Sequence, residues 1–300
     1  MNRVLIVGAS GFIGQHLVRR LTESSDYQVS GTYNSIVPEI EGCGWIQVDL
    51  TDRQQMEEAF HLAQPGLVVH LAAMADVNQC ESEPDRATQV NVGGTEYVVS
   101  LSAEYRAKVV YLSTEYVFRG DRGHYAESDS PEPTTHYGQT KWEAEQSVAQ
   151  YSYPWSIVRT SLVYGWHPRA DRANLVSRVI DSLSHGRPAY GHTDMYRSPV
   201  YVEDLVEGII KVMAEDYTGI SHIAGPEWVH MGEFVHAVAQ VFQLDSSLVV
   251  QIEAPADGAN GSRPNLLGLD STQTLRRLGF QPQDMASGLK DMRTKRREIP

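Results

Sequence analysis

Short apolar runs recur through the first half of the chain, separated by stretches whose apolar residues fall at helical spacing. Arg3 to Val7, Gln28 to Thr32, Trp45 to Val48, Leu67 to His70 and Lys108 to Leu112 each predict a short buried strand, and Tyr153 to Thr160 predicts another. Strands alternating with helices predict the α/β class and a parallel, doubly wound sheet, because a crossover helix must carry the chain back to start each parallel neighbour. After Thr160 the regularity breaks. Residues 165 to 197 mix Gly, Pro and His with Arg169, Arg172, Arg178, Arg187 and Arg197, and Arg159 stands just upstream. That density predicts a surface facing something negative.

Residues 198 to 223 return to strand and helix patterning, with VYVEDLVEGIIKVMA predicting an amphipathic helix. The remainder gives a helix from Met231 to Phe242, a Pro/Gly/Asn-rich loop over residues 254 to 264 and a short helix from Ser271. These late segments predict a smaller C-terminal α/β lobe on the sheet's C-terminal edge. The expected division is therefore 1 to 164 plus about 198 to 223 for the sheet domain, and about 165 to 197 plus 224 to 300 for the smaller lobe. No internal repeat or low-complexity tract interrupts this organisation.

Composition narrows the function classes. A net charge of -13 argues against general nucleic-acid binding, which needs a basic face, so an anionic small ligand would need a local cluster of arginines. Cys43 and Cys80 form no CxxC pair, which gives neither a disulfide scaffold nor a zinc site and fits a reducing cytoplasm. The N-terminus reads as a first strand rather than a signal peptide, and no apolar stretch reaches the length of a membrane span. The chain is expected to be cytoplasmic and complete. The basic end, KDMRTKRREIP, reads as a solvated, frayed helix.

The segment GASGFIG follows the first strand and opens a helix. Gly8 permits the tight turn, Gly11 lets the backbone approach a pyrophosphate, and Gly14 allows helix to pack closely on strand. With Ser10, Phe12 and Ile13 they form a phosphate-binding turn whose helix N-terminus offers free N–H groups, and a dinucleotide site of Rossmann type is predicted. An acid ending the second strand would accept from the ribose 2′-hydroxyl of NAD. Here Val29 to Ser35 carry no acid, and Thr32, Asn34 and Ser35 stand there to host a 2′-phosphate, which favours NADP(H) over NAD(H). Asp49, with Leu50 after the third strand, reads either as a contact to the adenine edge or as a helix N-cap together with Asp52.

Thr114 closes the predicted strand at 108, and Tyr137 and Lys141 follow on a helix. Hydride transfer to a ketone leaves an oxyanion, and a tyrosine protonates it if its pKa falls toward neutrality. A lysine four residues on lies on the same helix face, where its cation stabilises tyrosinate. Thr114 would hold the carbonyl oxygen.

This arrangement resembles the extended short-chain dehydrogenase/reductase family, with its glycine loop, strand-end Ser/Thr and YxxxK. The closer resemblance is to the dTDP-4-dehydrorhamnose reductase group, through STEYVF (113 to 118), YGQTKWEAE (137 to 145), RTSLVYG (159 to 165) and SRPNLLGLDSTQTLRRLGF (262 to 280). It implies catalytic roles for Thr114, Tyr137 and Lys141, and a substrate-side role for Glu115, which stands where the family usually has Asp. It also implies that Ala72, Ala73 and Met74 line the nicotinamide groove and that Asn91 supports the active-site helix.

The implied substrate is a nucleotide-linked 4-keto-6-deoxy sugar, with Arg197 and Arg263 as candidates for its diphosphate and Asn174 facing the same cleft. Some members of the group hold a divalent metal at a dimer contact formed by glutamates. No glutamate pair here maps onto such a site, so a homodimer is an expectation of the resemblance and no metal ligand is assigned. Two other readings stay open. One is a nucleotide-sugar epimerase that retains NAD. The other is a non-catalytic, NADP-binding regulator similar to the β-subunit of methionine adenosyltransferase.

Overall fold

The structure, a computed structural model, describes residues 2–169, 172–253 and 264–295. The chain divides into two compact units: Met1–Val117, Pro133–Arg159 and Ile209–Ser221 make the first, and Phe118–Glu132, Thr160–Gly208 and His222–Pro300 the second.

The first unit is built on a seven-stranded sheet. In chain order its elements run β1 (Asn2–Val7), α1 (Phe12–Thr22), β2 (Tyr27–Tyr33), β3 (Cys43–Gln47), α2 (Arg53–Ala63), β4 (Leu67–His70), α3 (Val77–Ser82), α4 (Pro84–Thr88), α5 (Gly94–Tyr105), β5 (Lys108–Thr114), α6 (His136–Ala149) and β6 (Trp155–Thr160). A later strand, Gly219–Ile223, adds to the edge beside β6, and the remaining order is β6-β5-β4-β1-β2-β3. The pairings β3 with β2, β2 with β1, β1 with β4 and β4 with β5 are all parallel. That is the doubly wound α/β sheet expected from the alternating pattern.

Apolar residues from both layers close the core. Leu5, Val7 and Val68 of the strands bury against Met56 and Phe60 of α2 and Val98 and Leu101 of α5. On the neighbouring part of the sheet Val109, Tyr111 and Ile157 bury against Ala144 and Val148 of α6. Burying such side chains contributes roughly 1.5–3 kcal/mol each, which makes this packing the main reason the strands order as they do.

The second unit holds β7 (Val163–Tyr164), α7 (Leu175–Ser184), β8 (Ala189–His192), β9 (Tyr196–Arg197), β10 (Val200–Tyr201) and the start of α8 (Val202–Ala214) and, after the edge strand of the first unit's sheet, which is β11, it holds β12 (Val229–His230), α9 (Met231–Val241), β13 (Val249–Ile252), α10 (Thr272–Leu278) and α11 (Met285–Lys295). Among the described residues three two-stranded pairings occur there: β10 with β7 and β13 with β8 are parallel, and β12 with β9 is antiparallel.

Two differences from the sequence pattern have local causes. The helix expected over VYVEDLVEGIIKVMA starts two residues late, because Val200 and Tyr201 pair in register with Val163 and Tyr164. Phe118–Glu132 groups with the second unit although it follows β5 directly. Phe118 stacks on Tyr125 with ring centroids 4.4 Å apart, and the Tyr125 backbone donates to the Gly268 carbonyl and accepts from Asp270 N–H. Those partners lie more than a hundred residues further on, beyond the reach of any periodicity.

Among the described residues, no helix is long and apolar enough to cross a membrane.

Candidate active site

The glycine turn between β1 and α1 has the geometry its residues require. Gly8 sits at φ +86°, and a Cβ there would meet the Ala72 nitrogen at 2.6 Å. Gly11 is the N-cap of α1 and donates its N–H to the Gly8 carbonyl at 3.0 Å. At Gly14 a Cβ would come within 2.5 Å of that same carbonyl oxygen and 2.7 Å of Ala9 Cα. A side chain at Gly14 would therefore drive the helix off the strand.

A cleft of about 270 Å3 opens over this turn. Gly8, Ser10 and Gly11 form one wall, and Leu50, Ala72 and Ala73 close the other with apolar surface. The wall is fixed by the main chain: the N–H groups of Leu71 and Ala72 both donate to the Val7 carbonyl, at 2.8 and 3.0 Å. Phe12 and Ile13 lie in the first turn of α1, where the Phe12 ring meets His16 edge-on at 5.4 Å.

The end of β2 divides its candidates. Thr32 is buried, and its hydroxyl accepts from Gly8 N–H at 2.9 Å while its carbonyl accepts from Ser10 N–H at 3.3 Å. It staples the glycine turn to the sheet. Asn34 lines the cleft and is exposed, as is Ser35 beside it. Asp52, not Asp49, caps α2, accepting from Gln54 and Gln55. Asp49 organises the preceding turn, where its Oδ1 accepts from Thr51 N–H and hydroxyl at 2.9 and 2.7 Å. Those bonds, the backbone one first, hold its carboxyl below the usual range.

Asn91 lies in a single π-helical turn, Gln89–Gly93, between α4 and α5, a departure from α-geometry that is frequent where side chains serve a site. Its Oδ1 accepts from Met74 N–H at 2.7 Å, and its Nδ2 donates to the Met74 carbonyl at 3.1 Å and to the Thr140 hydroxyl at 3.0 Å. One buried amide thus ties the groove segment to α6, a single residue from Lys141.

Helix α6 begins where Thr135 accepts Gly138 N–H at 3.0 Å. Gly138 is needed because a Cβ there would lie 2.1 Å from the Tyr116 carbonyl oxygen. That close approach lets β5 and α6 share one face, where the Thr114 hydroxyl accepts from Tyr116 N–H at 3.2 Å. Tyr116 packs edge-on against Tyr137 at 5.6 Å. Lys141 Nζ donates to the Leu112 carbonyl at 2.8 Å and rests 4.0 Å from the centroid of the Tyr111 ring. Glu115, 2% exposed, opens the short 3₁₀ turn after β5.

Burial governs the ionisation of both groups. It pulls the Lys141 ammonium down to about 7, against the nearby Glu145 charge, which raises it. It pushes the Tyr137 phenol above its usual value, the neighbouring Thr114 hydroxyl offsets part of that, and Tyr116, Cys80 and Glu115 add to it. The sequence reading expected a lowered tyrosine. In the protein's own field the phenol is raised, because desolvation outweighs the opposing effect of the Thr114 hydroxyl.

Several contributors escaped the sequence reading. His70, fully buried at the end of β4, pairs its Nε2 with the Thr95 hydroxyl at 3.0 Å. Thr95 donates its own proton to the Asn91 carbonyl at 2.6 Å, so Nε2 of His70 carries the hydrogen. Burial first and the Lys141 charge second hold His70 down at about 3, which leaves it neutral. Glu145, Ser113 and Arg159 form a buried cluster under the same face: Glu145 accepts from the Ser113 hydroxyl at 2.5 Å and from Arg159 at 2.9 and 2.7 Å. The available signal was the four-residue step from Lys141 to Glu145, which repeats the step from Tyr137 to Lys141.

Arg159 was expected to face a ligand. It is instead fully buried on Glu145, since a guanidinium in the core must find a carboxylate. Arg187 is engaged at the surface with Asp181 at 2.6 Å. In the second unit Arg197 is 4% exposed and donates to the carbonyls of Tyr196, Pro264 and Asn265. Asn174 is the N-cap of α7 in a capping box with Ser177, and its Nδ2 donates to the Gly165 carbonyl at 2.6 Å. Arg263 lies outside the described residues.

Comparison with known proteins agrees with this geometry. The family profile described as RmlD substrate binding domain matches residues 1–297. Methionine adenosyltransferase 2 subunit beta of Mus musculus is 30% identical over 96% of this chain and 86% of that protein. The dTDP-4-dehydrorhamnose reductase of Aggregatibacter actinomycetemcomitans is 28% identical over 98% of this chain and 99% of that one. The dTDP-4-dehydrorhamnose reductase of Bacillus anthracis, solved in complex with NADP, superposes with a TM-score of 0.83 at 28% identity, covering 98% of this chain and 99% of the other.

Proposed function

The chain belongs to the family of the RmlD substrate binding domain, among the extended short-chain dehydrogenase/reductase proteins, and on that footing we propose that it is an NADPH-dependent reductase of a nucleotide-linked 4-keto-6-deoxy sugar. The observation that carries this reading is that the helix holding Tyr137 and Lys141 meets the end of the strand that closes in Thr114, with the Tyr137 ring against Tyr116 and Lys141 Nζ on the Leu112 carbonyl. A regulator that only bound the dinucleotide would have no use for it. The residues fit the cofactor: Gly8 and Gly14 leave a cradle that any Cβ would fill, and the neighbouring cleft is apolar on its far wall. Bound NADPH supplies the hydride.

The chain's own groups do the rest. Thr114 and Tyr137 bind the ketone oxygen, and Tyr137 passes its phenolic proton to the oxygen as negative charge develops there. Lys141, held by the Leu112 carbonyl, offers the cation that brings the phenol's pKa down. The raised phenol of the protein alone means that this lowering depends on positive charge added to that of Lys141, from the oxidised nicotinamide. Glu115 and Tyr116, flanking the reacting groups, contact the sugar. NADP is preferred because the second strand ends without an acid, and the NADP complex of the Bacillus anthracis reductase supports this.

The test is the absorbance of NADPH and, in parallel, NADH on addition of dTDP-, GDP- and UDP-linked 4-keto-6-deoxy sugars. Native protein oxidises NADPH with at least one of them, and Tyr137→Phe lowers turnover about 10²–10⁴-fold with NADPH affinity retained. A second reading is supported by the similarity to methionine adenosyltransferase 2 subunit beta: a regulator that binds NADPH without reducing anything. Tight NADPH binding with no turnover across the panel would turn the assignment to it.

A further inference from the structure

Tyr137 stands in the first turn of α6, directly after His136, which begins the helix. A helix start is where the backbone is least held, because its first N–H groups have no partner within the helix. Beyond Tyr137 the chain is secured by Thr140, whose hydroxyl donates to the Tyr137 carbonyl at 2.9 Å and accepts from Asn91 at 3.0 Å. Before Tyr137 it is secured by His136, a residue with no part so far in the reductase reading.

His136 is bonded to both short helices that follow the groove segment. Its N–H donates to Glu81 Oε1 of α3 at 2.6 Å, and its Nε2 lies 3.0 Å from the Pro84 carbonyl oxygen and 3.2 Å from the Thr88 hydroxyl, both of α4. A carbonyl only accepts, so Nε2 carries the hydrogen. The stretch is tied to the groove in turn, since Cys80 Sγ of α3 donates to the Met74 carbonyl at 3.2 Å. Glu81, Pro84 and Thr88 are exposed and His136 is half-buried. Water competes for bonds so placed, and their net contribution to stability is small, so holding the fold together does not account for three contacts converging on one residue.

We propose that His136 is a positioning residue for Tyr137: its N–H on Glu81 and its imidazole on the Pro84 carbonyl latch the first turn of α6 to α3 and α4, and so hold the phenol in place for proton transfer. The role rests on the reductase reading, in which Tyr137 gives that proton. Tyr137 is then gripped from both sides, by His136 before it and by Thr140 after it. Both grips originate in residues 74 to 91, the stretch that leads away from Ala72 and Ala73 of the groove, so the phenol is kept in register with the cofactor cleft. Register matters because a displacement of about 1 Å at a reacting group costs on the order of 10²-fold in rate.

The test compares His136→Ala, which removes the imidazole, with His136→Gln, whose amide offers a donor where Nε2 stands. Ring signals of ¹³C-tyrosine-labelled protein report on the phenol directly, and Tyr137→Phe identifies the relevant one among the fifteen tyrosines. In His136→Ala the Tyr137 signal is expected to broaden by exchange, and kcat to fall about 10- to 100-fold with NADPH affinity native. His136→Gln is expected to restore both. Glu81→Ala opens the other half of the latch from outside α6 and is expected to act as His136→Ala does, which supplies the test should one variant fail to fold. A merely structural role would lower the urea midpoint and leave the Tyr137 signal and kcat native, and that result in a folded variant overturns the proposal. A Gln variant as impaired as the Ala variant overturns it equally. The ring signals need no substrate, so absence of turnover in the native protein counts against the reductase reading, while the signals still decide whether His136 holds Tyr137.

Discussion

Among the described residues two arginines are almost wholly buried, Arg159 in the first unit and Arg197 in the second, and they are satisfied by different chemistry. Arg159 forks onto the Glu145 carboxylate through Nε and NH2, so one ion neutralises the other on the spot. Arg197 donates to main-chain carbonyls on two segments, Tyr196 in β9 and Pro264 and Asn265 nearly seventy residues later. The first arrangement places an oriented charge pair beneath a lysine and a tyrosine. The second braces a strand against a loop. Residue type and burial are the same, so what separates a group in the electrostatics of a site from a group in the scaffold is the identity of its acceptors.

Breaking the pair in the first unit has the largest expected effect. Arg159→Met leaves Glu145 as an uncompensated buried acid, which costs roughly 3–5 kcal/mol and shows as a lower urea midpoint with an unchanged slope. The brace in the second unit is expected to cost less, about 2–4 kcal/mol for Arg197→Met, because the abandoned carbonyls are neutral. The comparison would collapse if Arg197→Met were as stable as the native protein and lost affinity for a nucleoside diphosphate instead. That outcome would restore Arg197 to the substrate.

What was legible in the sequence follows the same division. The glycine turn could be read because its constraints are local: Gly8 needs a positive φ and Gly14 needs closeness to a carbonyl only six residues back. Tyr137 and Lys141 could be read because helical spacing alone puts them on one face. Long-range partners could not. The buried hydroxyl of Thr32 was assigned to a 2′-phosphate, yet its oxygen accepts from Gly8 across the β1–β2 step. Arg159 and Arg197 entered as members of one basic cluster, and their acceptors are decided by tertiary packing that residue counts do not encode. The π-helical turn that aims Asn91 leaves no periodic signature either.

Asn174 sharpens the comparison on the second unit at the smallest scale. The sequence pattern has it facing the substrate cleft, and its side chain is committed to starting α7, with Oδ1 accepting Ser177 N–H at 3.1 Å and Nδ2 on the Gly165 carbonyl. Asn174→Ala removes the cap and is expected to cost about 1 kcal/mol, while Asn174→Asp keeps the cap acceptor and should recover most of that, because an acid at a helix N-terminus is equally well placed. Both are read from denaturation midpoints. If the side chain acts only on the helix, KM for the sugar nucleotide stays native in the Asp variant. A KM raised severalfold with stability restored would mean that the amide itself touches substrate, and the second unit would then contribute recognition through a residue whose hydrogen bonds look purely structural.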